Sequence, residues 1–560
     1  MYCREPESRK ICRVKRKEIR KRRKTLKSKS LAFAFEWKRR HWLLSGLLVF
    51  TILLYSGSLR QTFLAGWDDG EYIDNPDIQH LTVENVGSYF STFYMGMYQP
   101  IPVLSFALNH YFSGSDATPY KFFNLLLHLV NILLVYFLAR SLRRNEYAAL
   151  LAAMLMALHP MHVESIAWLS ARSTGLFTMF YLLALLAYWR YLEHNFRFKY
   201  IFIAFVFFLF ALFSKSMAAT LPMVLFVMDA WRRRSINKAA ILEKIPFFIV
   251  SVIFGLVSIR AAASFGHIEV LEADYHLFDR IFLLSYGVAF YLVKLIFPLQ
   301  LSAIYAYPAK TAGWLPAEYY LSFLLLILVA FGIYRLRRYR RETFLGFAFF
   351  ILSVSMVLPL FWSRLFIVAE RYVYLPYIGL FLVAGIWLKA LIEGEITMSP
   401  MIRTRILALA GAWLLFFAVS TYTRTGVWQS TRTLMEDVVD KKRSSADQAF
   451  AWFFLGNVSD RDGNMQQAER YYSRAIELNP KHIQALNNRG IMRGSLGDFN
   501  GSLQDFNYAI SLKANYAEAW YNRGIIRYQT GQSPDACNDW HKAAQLGFSQ
   551  AQNAIRNYCK

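Results

Sequence analysis

The feature that most constrains this chain is a series of apolar segments, each close to the length that crosses a membrane. The first runs from Trp42 to Leu59, and a helix needs about 20 mostly apolar residues to span the hydrocarbon core. Eleven more follow, at about 119–139, 147–160, 174–190, 199–214, 216–230, 245–260, 280–297, 318–335, 343–361, 373–391 and 403–422. Because backbone polar groups must be paired inside a bilayer, the pattern predicts an all-α, polytopic membrane domain over residues 42–423.

Basic residues indicate which loops face the cytoplasm. Residues 1–40 hold 17 Lys and Arg against 4 Asp and Glu, and this basic tail (1–41) directly precedes the first span, as the positive-inside rule expects for a cytoplasmic segment. Such a tail also suits attraction to anionic membrane lipid. Further basic clusters lie at 140–144, 190–199, 232–234, 335–341 and 403–405. Since membrane orientation accounts for the formal charge of +25, no nucleic-acid partner is predicted.

The clusters at 232–234 and 335–341 restrict the number of crossings. Both are expected to face the cytoplasm, which requires an even number of crossings between them, yet three apolar segments lie there. We expect segment 280–297, which contains Lys294 and ends before Pro298, to be interfacial or broken. About 11 spans then remain, the loop 60–118 faces outward, and everything after residue 423 is non-cytoplasmic.

A repeat with a period of 34 residues begins where the hydropathy falls, near residue 445. Three sets of positions recur at that interval: Gly456, Gly490, Gly524; Ala475, Ala509, Ala543; Tyr472, Phe506, Trp540. The period is typical of tetratricopeptide repeats, in which small residues let paired helices approach and an aromatic ring fills the space between them. We predict a linker at 424–448 and, over 449–560, an α-solenoid of three repeats plus a terminal helix that binds a protein partner or serves as a packing surface.

Four cysteines occur outside the apolar segments, and their spacing matches no metal site. Cys3 and Cys12 lie in the basic tail, whereas Cys537 and Cys559 lie near the end of the chain. The latter two could form a disulfide if that end is exported, and are otherwise free thiols.

An acidic pair, Asp68 and Asp69, follows the first span in the predicted outward loop. Adjacent carboxylates suit general-base catalysis or a divalent metal. The alternative is a solvated WDDG turn.

Other polar residues stand in or beside outward span ends, where hydrocarbon tolerates them poorly unless they have a function or pair between helices. They are Asn124, His128, His159, His162, Glu164, Arg172, Lys215, Glu370, Arg371 and Tyr372. Two histidines and Glu164 could bind zinc, but the segment has no HExxH pattern and no zinc site is predicted. Arg371 beside an acid suits a phosphate group.

Together these motifs resemble the TMTC-type proteins (transmembrane and tetratricopeptide repeat containing), which are related to the protein O-mannosyltransferases. The motifs are the acidic pair, YQP at 98–100, Asn124 and His128 spaced by four, HPMHVESIAW at 159–168 with Arg172, ERYVYLP at 370–376, and the repeats. The resemblance covers nearly the whole chain from about residue 60.

The resemblance implies a GT-C-like glycosyltransferase that takes a sugar from a polyprenyl-phosphate donor on the non-cytoplasmic face. It implies that Asp68 or Asp69 accepts the proton of an acceptor hydroxyl during one inverting displacement, with Arg371, Lys215, Arg172 and the histidines near the phosphate. Animal members of the family have more repeats, so the resemblance is to a bacterial, inner-membrane member. Lys215-Ser216 stands where Lys-Glu is expected, and Gln99 where an Arg often precedes the proline. The donor sugar is therefore left open.

Two other functions fit parts of the pattern. One is a non-catalytic membrane scaffold that recruits envelope partners through its repeats. The other is a lipid-linked glycan polymerase or ligase, although those enzymes favour large loops late in the chain and the acids here come early.

Overall fold

A computed structural model describes residues 42–64, 66–143, 145–264, 275–359, 366–441 and 443–559. All regular elements in these ranges are helices, which confirms the all-α prediction. The basic tail, with Cys3 and Cys12, lies outside the described residues.

The membrane domain contains long apolar helices, as predicted. Six helices of the described chain are long and apolar enough to cross a membrane: Trp42–Arg60, Ala117–Arg143, Leu169–Glu193, Lys238–Ser264, Ala317–Arg335 and Pro400–Val427. The pair Glu146–Leu158 and Pro160–Ala167, bent by 58°, makes a seventh if it is one span. Shorter helices accompany them: Phe198–Ser214, Leu221–Arg232, Arg340–Val354 and Tyr377–Ile392. The chain is thus a multi-pass membrane protein, and 11 crossings remain a prediction.

Contacts between loops give the helical bundle a basic end. Arg341 donates through its guanidinium to the backbone carbonyl of Ala230, which brings the 335–341 cluster beside the residues that directly precede the 232–234 cluster. Arg143 donates to Glu342 at 3.2 Å. Asn145 donates to Glu393, also at 3.2 Å. The loops that carry the basic clusters therefore meet at one end of the bundle.

Helix Leu277–Ile296 corresponds to the segment expected to be interfacial or broken, and it is continuous. The chain after this helix runs back to the N-terminal end of the helix without forming a further helix. Lys310 lies 2.6 Å from Asp279, and the Tyr275 hydroxyl donates to the Pro308 carbonyl at 2.7 Å. Residues 275 and 310 therefore lie on the same side.

Small residues allow two helices of the bundle to approach closely. A Cβ built on Gly346 would lie 2.3 Å from the Val383 side chain and 2.6 Å from the Gly379 carbonyl oxygen. Helices Arg340–Val354 and Tyr377–Ile392 thus cross at a glycine pair, the packing that membrane helices use in place of a hydrophobic driving force.

The predicted solenoid is confirmed. Its helices are Ser445–Arg461 with Met465–Leu478, Ile483–Ser495 with Phe499–Leu512, Ala517–Gln529 with Ser533–Gln545, and the terminal Ser549–Tyr558. The repeated glycines make room for the repeated aromatic rings, since a Cβ on Gly456 would lie 2.4 Å from Tyr472. Cys537 and Cys559 are bridged, with Cα atoms 5.6 Å apart. One further helix, Thr431–Asp440, lies within the predicted linker.

Candidate active site

Asp69, the second member of the acidic pair, is completely buried and bonded through both carboxylate oxygens. One oxygen accepts from the backbone N–H of Leu64 at 2.9 Å. The other accepts from the backbone N–H and hydroxyl of Ser170, at 3.1 and 2.6 Å. These three bonds fasten the loop after the first span to the turn that precedes helix Arg172–Glu193. Asp69 therefore fixes the position of the acidic loop.

Asp68 lies in a different environment, half-buried at the beginning of the short helix Asp69–Ile73. Burial, followed by the charges of Asp68 and Asp69, raises the pKa of the nearby Tyr72 hydroxyl. The Asp68 carboxylate also acts electrostatically on Arg371. Of the two neighbouring acids, Asp68 is the one that solvent or a substrate can reach.

Arg371 is held by Glu164, 207 positions earlier in the chain. The Arg371 backbone N–H donates to Glu164 at 2.8 Å, and the guanidinium donates to the other carboxylate oxygen. Burial would lower the pKa of Arg371, but Glu164, Tyr372 and the more distant Asp68 raise it above its ordinary value. Within the described chain Nε and Nη2 of Arg371 have no hydrogen-bond acceptor, and the side chain is 18% exposed. The guanidinium thus stays charged and retains donors for an anion.

Aromatic rings enclose the guanidinium. Its carbon lies 5.0 Å from the ring centres of both Trp168 and Tyr372. Trp168 in turn lies 6.1 Å from Trp67 and 6.2 Å from Trp428. Trp168 belongs to the predicted HPMHVESIAW motif, whereas Trp67 and Trp428 were not among the predicted site residues. An apolar wall of this kind reduces screening by water and strengthens the attraction between charges.

Glu370, next to Arg371, belongs to a second ion pair. It accepts from Arg424 at 3.0 Å and from the Tyr305 hydroxyl at 3.2 Å. Burial raises the pKa of Glu370 above its ordinary value, although the positive charge of Arg424 opposes the shift. Arg424 also donates to Asp437 at 2.9 Å. Arg424 was not among the predicted site residues, although a charged residue near the end of an apolar segment is a sign of function.

The repeat domain packs against these outer loops. Asp447, in the first repeat helix, accepts from the backbone N–H of Ala306 at 2.6 Å. Phe454 of the same helix lies 4.8 Å from Trp67, which directly precedes Asp68. The acidic pair, Arg371 and the repeats therefore share the end of the bundle opposite the basic loops.

Arg172 and Asn124 come together, but away from solvent. Arg172 donates to Asn124 at 2.9 Å, to Asn109 at 2.6 Å and to the Tyr120 carbonyl at 3.0 Å. Its guanidinium also lies 4.3 Å from the Phe106 ring centre. These contacts join the outward loop to two spans, so Arg172 has a structural role in this conformation.

The histidines lie in the interior of the bundle. His128 shares a hydrogen bond of 2.7 Å with the Tyr374 hydroxyl. His162 donates to the Met156 carbonyl at 2.9 Å, and His159 donates to that of Leu295 at 3.1 Å. No group of three or more His, Cys, Asp or Glu in the described parts of the chain is placed to hold a metal ion.

Lys215 donates to Thr174 at 2.7 Å, at the outer end of helix Arg172–Glu193.

Comparison with known proteins places these features in context. Residues 100–259 match the family described as dolichyl-phosphate-mannose-protein mannosyltransferase, and residues 449–482 match the tetratricopeptide repeat. The human protein O-mannosyl-transferase TMTC1 is 23% identical over 515 residues, covering 79% of this chain and 55% of the relative. The Caenorhabditis elegans protein O-mannosyl-transferase F38B6.6 is 26% identical over 394 residues, covering 69% and 54%. This chain thus spans about half the length of these relatives.

Proposed function

We propose that this chain belongs to the TMTC-type group of the protein O-mannosyltransferase family and that it is a membrane mannosyltransferase. Its donor is a polyprenyl-phosphate sugar and its acceptor a protein hydroxyl. The observation that carries the proposal is a chain of ring contacts between Asp68 and Arg371: Trp67, the neighbour of the half-buried Asp68, lies 6.1 Å from Trp168, and the Trp168 ring centre lies 5.0 Å from the Arg371 guanidinium.

The reaction needs a base and a positive charge on opposite sides of the anomeric carbon. The acceptor oxygen forms a bond to that carbon while the bond from the carbon to the phosphate oxygen breaks. Asp68 takes the proton of the acceptor hydroxyl. The electron pair leaves with the polyprenyl phosphate, where Arg371 stabilises the developing charge. A single displacement of this kind inverts the anomeric centre.

Asp69 has a supporting role in this scheme. Both of its oxygens are occupied by donors from Leu64 and Ser170, so it holds the loop that presents Asp68. Glu164 holds Arg371 in position by accepting from its backbone N–H and its guanidinium. Preorganised groups of this kind need no reorganisation during the reaction.

The proposed site faces away from the cytoplasm. Three observations support this orientation: the basic loops meet at the other end of the bundle, the positive-inside rule assigns that end to the cytoplasm, and the repeat domain carries the Cys537–Cys559 bridge. Disulfides persist in oxidising compartments. A polyprenyl-phosphate sugar and an exported acceptor would meet on this side.

A transfer assay with radiolabelled polyprenyl-phosphate mannose, peptide acceptors and protein in liposomes tests the proposal. We expect Asp68→Asn to lower transfer by about 10²–10⁴-fold, the usual contribution of a general base. Asp77→Asn is the matched control, because Asp77 is an exposed acid of the same loop. Full transfer by Asp68→Asn would contradict the assigned role. If wild-type protein also transfers no sugar while its repeats retain a partner, the scaffold hypothesis is favoured instead.

A further inference from the structure

A groove of about 730 Å³ opens between three helices at the basic end of the bundle. The helices are Ala117–Arg143, Arg172–Glu193 and Phe198–Ser214. Its volume lies in the range of sites that hold a small molecule or part of a lipid. The groove lies at the end opposite Asp68, so the proposed transfer does not account for it.

The lining of the groove is divided between apolar and polar side chains. The apolar part comes from all three helices and includes Phe137, Leu183, Ile203 and Phe207. The polar part lies near the helix ends, where Arg140, Ser141, Arg190 and Tyr200 contribute two guanidinium groups and two hydroxyls. This order, apolar toward the membrane and basic toward its surface, matches the order of groups in a phospholipid.

The two arginines differ in how they are held. Arg140 pairs with Glu146 at 2.8 Å, which fixes its guanidinium at the groove. Arg190 is exposed and makes no ion pair within the described residues. Two guanidinium groups and the Glu146 carboxylate leave one net positive charge in the lining, so the groove is complementary to a monoanionic headgroup.

We propose that this groove binds an anionic phospholipid, with its phosphodiester between Arg140 and Arg190 and an acyl chain along the apolar side. Arginine presents a planar fork of donors that matches phosphate geometry, and basic pockets between membrane helices on the cytoplasmic side are established sites for anionic headgroups. The hydroxyls of Ser141 and Tyr200 supply further donors. The apolar side chains of the lining would contact the acyl chain of the bound lipid.

Native mass spectrometry of the full chain, released from neutral detergent, tests the site. The probes are phosphatidylglycerol and phosphatidylcholine with identical acyl chains. Near an anionic lipid, each arginine contributes about a fivefold gain in binding. We therefore expect phosphatidylglycerol adducts to exceed those of phosphatidylcholine, and Arg190→Gln to reduce that preference by about fivefold.

Arg233→Gln is the matched control, because Arg233 is an exposed arginine at the same end and outside the groove lining. The proposal is overturned if both lipids bind equally, or if Arg190→Gln and Arg233→Gln reduce binding alike. It is also overturned if polyprenyl phosphate displaces phosphatidylglycerol at equal concentration, since the site would then serve the donor lipid. Photocrosslinking with a phosphatidylglycerol labelled in its acyl chain should modify peptides that contain Phe137 or Ile203.

Discussion

The two aspartates of the acidic pair should respond differently to the same substitution. Asp69→Asn keeps a carbonyl oxygen for Ser170 but places an amide N–H against the backbone N–H of Leu64, which now donates to Asp69 at 2.9 Å. One buried hydrogen bond is lost and a buried donor is left unsatisfied, a cost of about 1–3 kcal/mol. Asp68→Asn changes a half-buried side chain and should therefore lower stability less than Asp69→Asn, whose side chain is completely buried.

Transfer activity should follow a different order. Asp68→Asn removes the proposed base and should lower transfer by about 10²–10⁴-fold, with a smaller change in thermal unfolding than Asp69→Asn. Asp69→Asn should lower both the transfer rate and the unfolding midpoint, because the loop that presents Asp68 is released. Ser170→Ala removes one of the three donors to Asp69 and should cost about 1 kcal/mol, with a smaller loss of transfer.

The measurements are thermal unfolding in detergent, followed by tryptophan fluorescence, and initial rates of sugar transfer in liposomes. Each variant is compared with wild type at equal fractions of folded protein. If Asp69→Asn abolished transfer without any shift in the unfolding midpoint, while Asp68→Asn stayed active, Asp69 would be the base. The distinction drawn from the hydrogen bonds would then be wrong.

Four further predictions concern other parts of the chain. Arg371→Lys should lower transfer by about tenfold or more, because lysine cannot both pair with Glu164 and present a fork of donors, without lowering the unfolding midpoint to the same degree. Gly346→Ala should destabilise the protein by about 1–3 kcal/mol, since the added methyl overlaps a neighbouring helix, whereas Gly411→Ala, with open space around it, should not. Phe454→Ala should cost at least about 0.5–1.5 kcal/mol, because it removes the ring contact to the acidic loop in addition to buried apolar area, and it should slow transfer even to a short peptide acceptor. Unchanged rates would mean that the repeats only recruit a partner. Cys537→Ser should destabilise the repeat domain by about 3 kcal/mol, and a reductant should lower the unfolding midpoint of wild type but not of the variant.

Local patterns in the sequence were sufficient for the architecture. The 34-residue spacing of Gly456 and Gly490 identified the solenoid, because each repeat forms its core from the same positions. The lengths of the apolar segments predicted a multi-pass membrane domain, and six helices of the described chain are long and apolar enough to cross a membrane. The basic clusters predicted that segment 280–297 is interfacial or broken. Helix Leu277–Ile296 is continuous, so the break is not observed, and an interfacial position stays a prediction.

The site was only partly predictable, because its contacts join distant parts of the chain. Asp68, Asp69, Glu164 and Arg371 were selected from their motifs, but their pairing was not visible. Arg172 carries the same charge as Arg371, yet it is buried and engaged in structural bonds. Burial and hydrogen-bond satisfaction depend on neighbours that no local spacing specifies.

By itself the sequence determined an all-α membrane protein with a short tetratricopeptide solenoid, since hydropathy and periodicity are properties of neighbouring residues. Only the tertiary structure distinguished two adjacent and chemically identical aspartates. Asp69 is occupied by Ser170, 101 positions away, whereas Asp68 stays accessible near Arg371. The difference arises because folding brings distant donors to one carboxylate and a distant cation near the other.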